Sequence, residues 1–166
     1  MFSLVTFLFF SSSFLFSGSK GDTCCAANPK NYYYLGDTQV NWANAVKACQ
    51  VVGMRLVSIQ SEAKNNEIAA FLQSTGVNYL GFNNGIWTSG TRQQDKVHWL
   101  WLAQEPFVYT KWDTLFGEPN NGTGNEECLQ VINNGTTTDW NDIACNRLFY
   151  PLCEKQVCCS SCNCRS

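Results

Sequence analysis

Apolar residues recur at helical spacing in the first half of the chain and gather into short runs in the second. Residues 32–35 form an aromatic run that predicts an opening strand. Trp42, Ala45, Val46 and Cys49 fall on one helical face, with Asn41 placed to cap the helix and Gly53 to close it. Residues 55–59 alternate and predict a strand. Ser61 caps a second predicted helix, in which Ile68, Phe71 and Leu72 face inward and Gly76 lies past the end. Beyond Gly76 the pattern changes. Residues 79–82, 97–102, 128–132 and 149–153 read as short strands, whereas residues 87–91 are polar and contain Gly90. Residues 111–124 are rich in Gly, Pro and Asn and read as a loop. Asn133-Asn134-Gly135 reads as a turn between the last two strands, followed by a loop around Trp140. Two helices followed by short strands with long loops predict an α+β domain.

With 166 residues the chain can bury a real core. Its formal charge of −2 and its lack of any Lys/Arg cluster exclude nucleic acid as an expected partner. Residues 1–19 read as a secretory signal peptide: residues 4–10 and 14–16 are apolar, and Ser17-Gly18-Ser19 supplies small residues for cleavage. The run is interrupted by Ser11-Ser12-Ser13 and falls short of a membrane span of about 20 residues. The expected protein is therefore secreted, without membrane insertion.

Ten cysteines in a secreted chain predict disulfides. Cys49, Cys128, Cys145 and Cys153 lie inside the domain, Cys24 and Cys25 near the mature N-terminus, and Cys158, Cys159, Cys162 and Cys164 in the tail. The terminal six allow 15 pairings. Intrachain staples are the expectation, with a disulfide-linked dimer as the lesser alternative.

The candidate chemistry lies in the loop-rich second half. Glu118, Asn120, Glu126, Asn141 and Asp142 combine carboxylates with amides, the oxygen mixture a hard cation such as calcium prefers. A solvated acidic loop is the bland alternative. Pro119, between Glu118 and Asn120, can adopt a cis bond that turns both side chains to one side. Trp99, Trp101 and Trp112 read as core rather than as exposed stacking platforms for a ligand. His98, the sole histidine, has no suitable nucleophile partner, and calcium-bound glutamates would make poor proton donors, so no enzyme is expected.

Glu118-Pro119-Asn120, Glu126-Glu127-Cys128 and Trp140-Asn141-Asp142, in that order, resemble the C-type lectin domain family. So do Leu56-Val57-Ser58-Ile59 and Tyr79-Leu80-Gly81-Phe82, which stands where the family has its Trp-Ile-Gly-Leu motif. The resemblance covers residues 32–154, leaving residues 20–31 as an N-terminal segment and 155–166 as a cysteine-rich tail. It implies a C-type lectin-like fold of two helices and short antiparallel strands, with disulfides Cys49–Cys153 and Cys128–Cys145. It also implies that Glu118, Asn120, Glu126, Asn141 and Asp142 hold calcium and contact the sugar. The Glu-Pro-Asn order is similar to the mannose type, which favours equatorial 3- and 4-hydroxyls, so mannose-type glycans on cell or microbial surfaces are the implied partners. Asn84, Thr88 and Asn121 are neutral where some members carry an auxiliary, acidic calcium site. Asn121 and Asn134 open N-glycosylation sequons.

Overall fold

Capping side chains start both helices where the sequence predicts them. Asn41 Oδ1 accepts the Asn44 amide at 2.9 Å, and helix α1 (Trp42–Val51) buries Trp42, Ala45 and Cys49. Ser61 Oγ accepts the Lys64 amide at 3.2 Å, and helix α2 (Glu62–Ser74) buries Asn65, Ile68, Ala69 and Leu72. These elements belong to a computed structural model that describes residues 29–77, 80–133 and 137–158. The expected leader, Cys24, Cys25, Cys159, Cys162, Cys164, Tyr79 and Asn134 lie outside the described residues, as does the side chain of Cys158.

The strands are β1 (Pro29–Leu35), β2 (Arg55–Leu56), β3 (Ile86–Thr91), β4 (Leu100–Trp101), β5 (Cys128–Asn133), β6 (Thr138–Ile143) and β7 (Tyr150–Cys158). They form one sheet in the order β1-β7-β3-β5-β6, with β2 on β7 and β4 on β3. The β5–β6, β3–β5, β3–β4 and β2–β7 pairs are antiparallel, whereas β3 and β7 run parallel. The expected strands at 55–59 and 97–102 shorten to Arg55–Leu56 and Leu100–Trp101.

Three segments depart from the sequence reading. Of the strand expected at 79–82, the described residues keep only a bridge at Leu80, with Phe82 in a turn. The polar stretch at 87–91 is a central strand, buried along its whole length. Its hydroxyls find internal partners: Thr88 Oγ1 donates to Leu129 O at 3.1 Å, Thr91 Oγ1 to Glu127 O at 2.9 Å, and Ser89 Oγ meets Ser58 Oγ at 2.8 Å. Gly90 lets Leu129 and Trp101 close over the strand, since a Cβ there would lie 2.8 Å from the Leu129 Cβ. The segment around Trp140 is likewise a strand, β6, paired residue by residue with β5. Burial of both faces removed the alternation that marks a half-exposed strand.

One apolar cluster joins α2 to the sheet through Ile68, Leu72, Trp101, Leu129, Trp140 and Leu152. A second joins α1 to the sheet through Trp42, Trp87 and Phe149. The Cys49–Cys153 disulfide ties α1 to β7, and Cys128–Cys145 closes a 17-residue separation around β5 and β6. Trp101 is fully buried, and Trp99 and Trp112 pack against the same cluster. Glu154, 2% exposed, is neutralised by Lys64 at 2.5 Å and Arg55 at 3.2 Å and accepts the Ser58 amide at 3.0 Å. That arrangement fastens α2 and β2 to β7.

Candidate functional site

The site is built outward from Trp140. Its buried indole meets Tyr109 at 5.6 Å and both Trp101 and Trp112 at 5.7 Å, all edge-on. Its backbone amide donates to Lys111 O at 2.8 Å, and its carbonyl accepts Asp113 N at 2.9 Å. The long loop is thereby fixed to β6 immediately before Asn141 and Asp142.

Asp142 has no solvent exposure and organises the loop. Its Oδ1 accepts Asn120 N at 2.9 Å, and its Oδ2 accepts Asn121 N at 3.0 Å and Arg92 Nη2 at 2.8 Å. The Glu118–Pro119 peptide is cis. Glu118 Oε1 accepts Asn120 Nδ2 at 2.9 Å, so the two side chains flanking Pro119 touch. Burial first, then the hydrogen bond and charge of Asp142 and the charge of Glu126, together push the Glu118 carboxyl up to about 7, against the opposing hydrogen bond from the Asn120 backbone amide.

Glu126 approaches from the segment just before β5. Its Oε2 accepts Gly122 N at 2.7 Å and its Oε1 accepts Thr123 Oγ1 at 3.0 Å, while its own amide donates to Asn121 Oδ1 at 3.0 Å. Gly122 is in close quarters: a Cβ there would lie 2.8 Å from Asn120 Oδ1 and 3.7 Å from Glu126 Oε2. Asn141 is buried beside Asp142 in β6, and its Nδ2 donates to Gln130 Oε1 at 2.9 Å. Gln130 in turn donates to the carbonyls of Gly81 and Phe82 at 3.2 Å each.

Glu118, Asn120 and Asp142 therefore form one hydrogen-bonded group, Glu126 joins it through residues 121–123, and Asn141 is anchored separately through Gln130. Among the described residues, no three Asp, Glu, His or Cys side chains gather as a metal-holding group on their own, so amide oxygens would have to complete any such site. The donor chemistry fits a hard divalent ion. Every candidate ligand atom is an oxygen, and the carboxylates crowd one another in a way that a cation would relieve. Sequence reasoning missed Arg92, which also donates to Glu126 O through Nε at 3.1 Å and Nη2 at 2.9 Å and lies 5.2 Å from the Trp99 ring centroid. Its flanking residues are polar and carry no periodic signal. Asn121 stood out as a sequon and as a neutral auxiliary position, and Thr123 only as part of the sequon, although both side chains shape the loop.

The Lectin C-type domain family model matches residues 38–155. The C-type lectin mannose-binding isoform of Oxyuranus scutellatus is 28% identical over 146 residues, which cover 84% of this chain and 89% of that protein. The CD209 antigen of Papio hamadryas is 32% identical over 130 residues, 76% of this chain but 32% of its own length. The chain thus spans most of the snake protein and about a third of the CD209 antigen. Among solved structures, the cow CD23 carbohydrate-recognition domain, crystallised in the presence of a GlcNAc2Man3 oligosaccharide, superposes with a TM-score of 0.62 at 27% identity, covering 78% of this chain and 91% of that one.

Proposed function

The chain belongs to the C-type lectin domain family, a family of carbohydrate-binding domains that are not enzymes, and from that premise we propose that it is a secreted, calcium-dependent lectin for mannose-type glycans on cell or microbial surfaces. The observation that carries the reading is the interlock of Glu118, Asn120 and Asp142, with Glu126 drawn in by the amide of Gly122. Glu118, Asn120, Glu126, Asn141 and Asp142 would hold the calcium. Bound calcium would supply a hard electrophilic centre for two vicinal sugar hydroxyls.

The protein's own groups then set the orientation of the sugar. The Glu118 and Glu126 carboxylates accept hydroxyl protons, and the Asn120 and Asn141 amides donate to the hydroxyl oxygens. Asn120 Nδ2 already faces a carboxylate oxygen of Glu118, so the acceptor and donor stand side by side. The mannose preference is supported by the Glu118-Pro119-Asn120 order and by the relative from Oxyuranus scutellatus, which is described as mannose-binding. Secretion is supported by the two disulfides, which persist in oxidising compartments. No helix among the described residues is long and apolar enough to cross a membrane.

Retention on immobilised mannose in calcium, with elution by a chelator, tests the whole reading. Retention that survives the chelator would remove the calcium dependence, and stronger retention on galactose would remove the mannose preference. Affinity for a single monosaccharide should be on the order of millimolar, because two hydroxyls and little apolar area are buried.

A further inference from the structure

A cleft of about 840 Å³ opens beside Glu118, within the size range of small-molecule sites. Trp112, Leu115 and Phe116 line one part of it, and Leu80, Phe82 and Ile132 supply further apolar surface. Leu115 is 85% and Phe116 58% exposed, an unusual placement for two large apolar residues in succession. The backbone that presents them is tied down. Asp113 Oδ1 accepts Leu115 N at 3.0 Å, Thr114 O accepts Gly117 N at 3.3 Å, and Asp113 O accepts Glu118 N at 2.9 Å. Phe116 meets the Phe82 ring edge-on, with 5.1 Å between centroids. The turn thus holds Leu115 and Phe116 out in water while ending on Glu118.

The charged groups of the cleft are already engaged. Asp139 is paired with Lys111 at 3.2 Å, Asp113 caps the turn, and Glu118 belongs to the candidate sugar site. Beside the Thr110 and Thr114 hydroxyls, what remains to be covered is apolar area. A bare monosaccharide held through two hydroxyls has no hydrocarbon to cover it with.

We propose that the cleft receives a hydrocarbon group attached to the sugar bound at Glu118, so that the preferred ligand class is an amphiphilic glycoside, a sugar joined to an aliphatic or aromatic chain. This inference rests on the sugar-binding reading above, and Glu118, common to the site and the cleft, is the point of continuity between them. The chain covers Leu115, Phe116 and Phe82, and the sugar supplies the calcium-dependent part of the affinity.

The test is calorimetry in calcium with three probes below their micellar concentrations. These are methyl α-mannoside, octyl α-mannoside, and a mannoside carrying an octanoyl chain at carbon 6; the two chains leave from different edges of the ring. At least one chain-bearing probe should bind about tenfold tighter than the methyl glycoside, the gain expected from burying roughly two methylene groups. Leu115→Ser and Phe116→Ser should each erase most of that gain and leave methyl α-mannoside unaffected. Leu115 is almost entirely in water, so Leu115→Ser alone carries the test if Phe116→Ser folds poorly. If the methyl glycoside binds and neither chain adds affinity, the inference falls and the sugar reading stands. A gain that persists in both variants also overturns it, because the chain would then lie elsewhere. If methyl α-mannoside does not bind in calcium, the sugar reading fails and the inference falls with it.

Discussion

Arg92 Nη2 lies 2.8 Å from Asp142 Oδ2, and the same guanidinium donates to the backbone carbonyl of Glu126. One cation thus links the residues just before β5 to the end of β6 and stands behind two of the five proposed ligands. Asp142 is fully buried and the Arg92 side chain 14% exposed, so little water screens the pair. Removing the arginine would strand a buried carboxylate, a change that typically costs about 3–5 kcal/mol. The amides of Asn120 and Asn121 still reach Asp142 and should hold the loss near the lower end of that range. Arg92→Gln should therefore lower unfolding free energy by about 3 kcal/mol in a chelator. In saturating calcium the loss should be smaller, since the ion would take over the charge. Denaturant titrations in both conditions measure this. Equal losses would count against Asp142 as a ligand.

Thr123 has two separable duties. It completes the Asn121 sequon, and its hydroxyl donates to Glu126 Oε1 at 3.0 Å and lies 2.8 Å from Asn125 Oδ1. Thr123→Ser keeps both the sequon and the hydroxyl. Thr123→Ala loses both, whereas Asn121→Asp removes the glycan acceptor and keeps the oxygen that receives Glu126 N. If the hydroxyl positions Glu126, calcium affinity should fall about ten- to a hundredfold in Thr123→Ala, the worth of one hydrogen bond to a charged group. It should stay near wild type in Thr123→Ser. Calcium titrations of enzymatically deglycosylated protein isolate the positioning effect. A drop of equal size in Thr123→Ser would contradict it.

Lys64 and Glu154 form a buried pair far from the loop in sequence, with Arg55 as a second, more exposed cation. Lys64→Met should cost about 2–4 kcal/mol by leaving the carboxylate under-compensated. The double variant Lys64→Met with Glu154→Gln should recover much of that loss, because the unpaired charge disappears with its partner. Mannose binding at saturating calcium should stay unchanged throughout, as neither residue touches the candidate site. Stabilities from a double-mutant cycle that merely add would refute the coupling.

The helices were legible because their signals are local, whereas the disulfide pairs came from the family resemblance and join residues as far as 104 apart. Asn41 and Ser61 announce helix starts within four residues, and Trp42, Ala45 and Cys49 repeat at helical spacing. Strands β3 and β6 were hidden for the opposite reason. Thr88, Ser89 and Thr91 look like loop residues until Leu129, Ser58 and Glu127 supply their hydrogen-bond partners from distant segments. The candidate ligands stood out by chemistry and motif order. Arg92 did not, since its contact with Asp142 spans 50 residues and depends on the β3–β5–β6 order. The cleft beside Glu118 was equally invisible, because Phe82 and Phe116 meet only after the sheet has formed.

The donor–acceptor order at Glu118 and Asn120 should set the sugar preference. In the structure Asn120 Nδ2 donates to Glu118 Oε1 at 2.9 Å. Exchanging the two chemistries, as Glu118→Gln with Asn120→Asp, reverses the direction of that bond and leaves the net charge of the pair unchanged. The loop should therefore keep its fold, since the contacts from the Asn120 and Asn121 backbone amides to Asp142 are untouched. A sugar hydroxyl that met an acceptor at position 118 would now meet a donor, and the reverse would hold at 120. Mannose presents equatorial 3- and 4-hydroxyls, whereas galactose has an axial 4-hydroxyl, so the reversed pattern should favour a different presentation of the same two oxygens. Specificity is a difference of affinities, and a shift of about 1 kcal/mol is roughly a fivefold change in relative binding. In competition against immobilised mannose, the ratio of galactose to mannose potency should rise at least about fivefold in the double variant, with chelator sensitivity retained. Glu118→Ala should instead weaken both sugars together, because it removes a proposed ligand without replacing its hydrogen-bonding role. An unchanged ratio in a folded, calcium-responsive double variant would mean that Glu118 and Asn120 do not contact the discriminating hydroxyls.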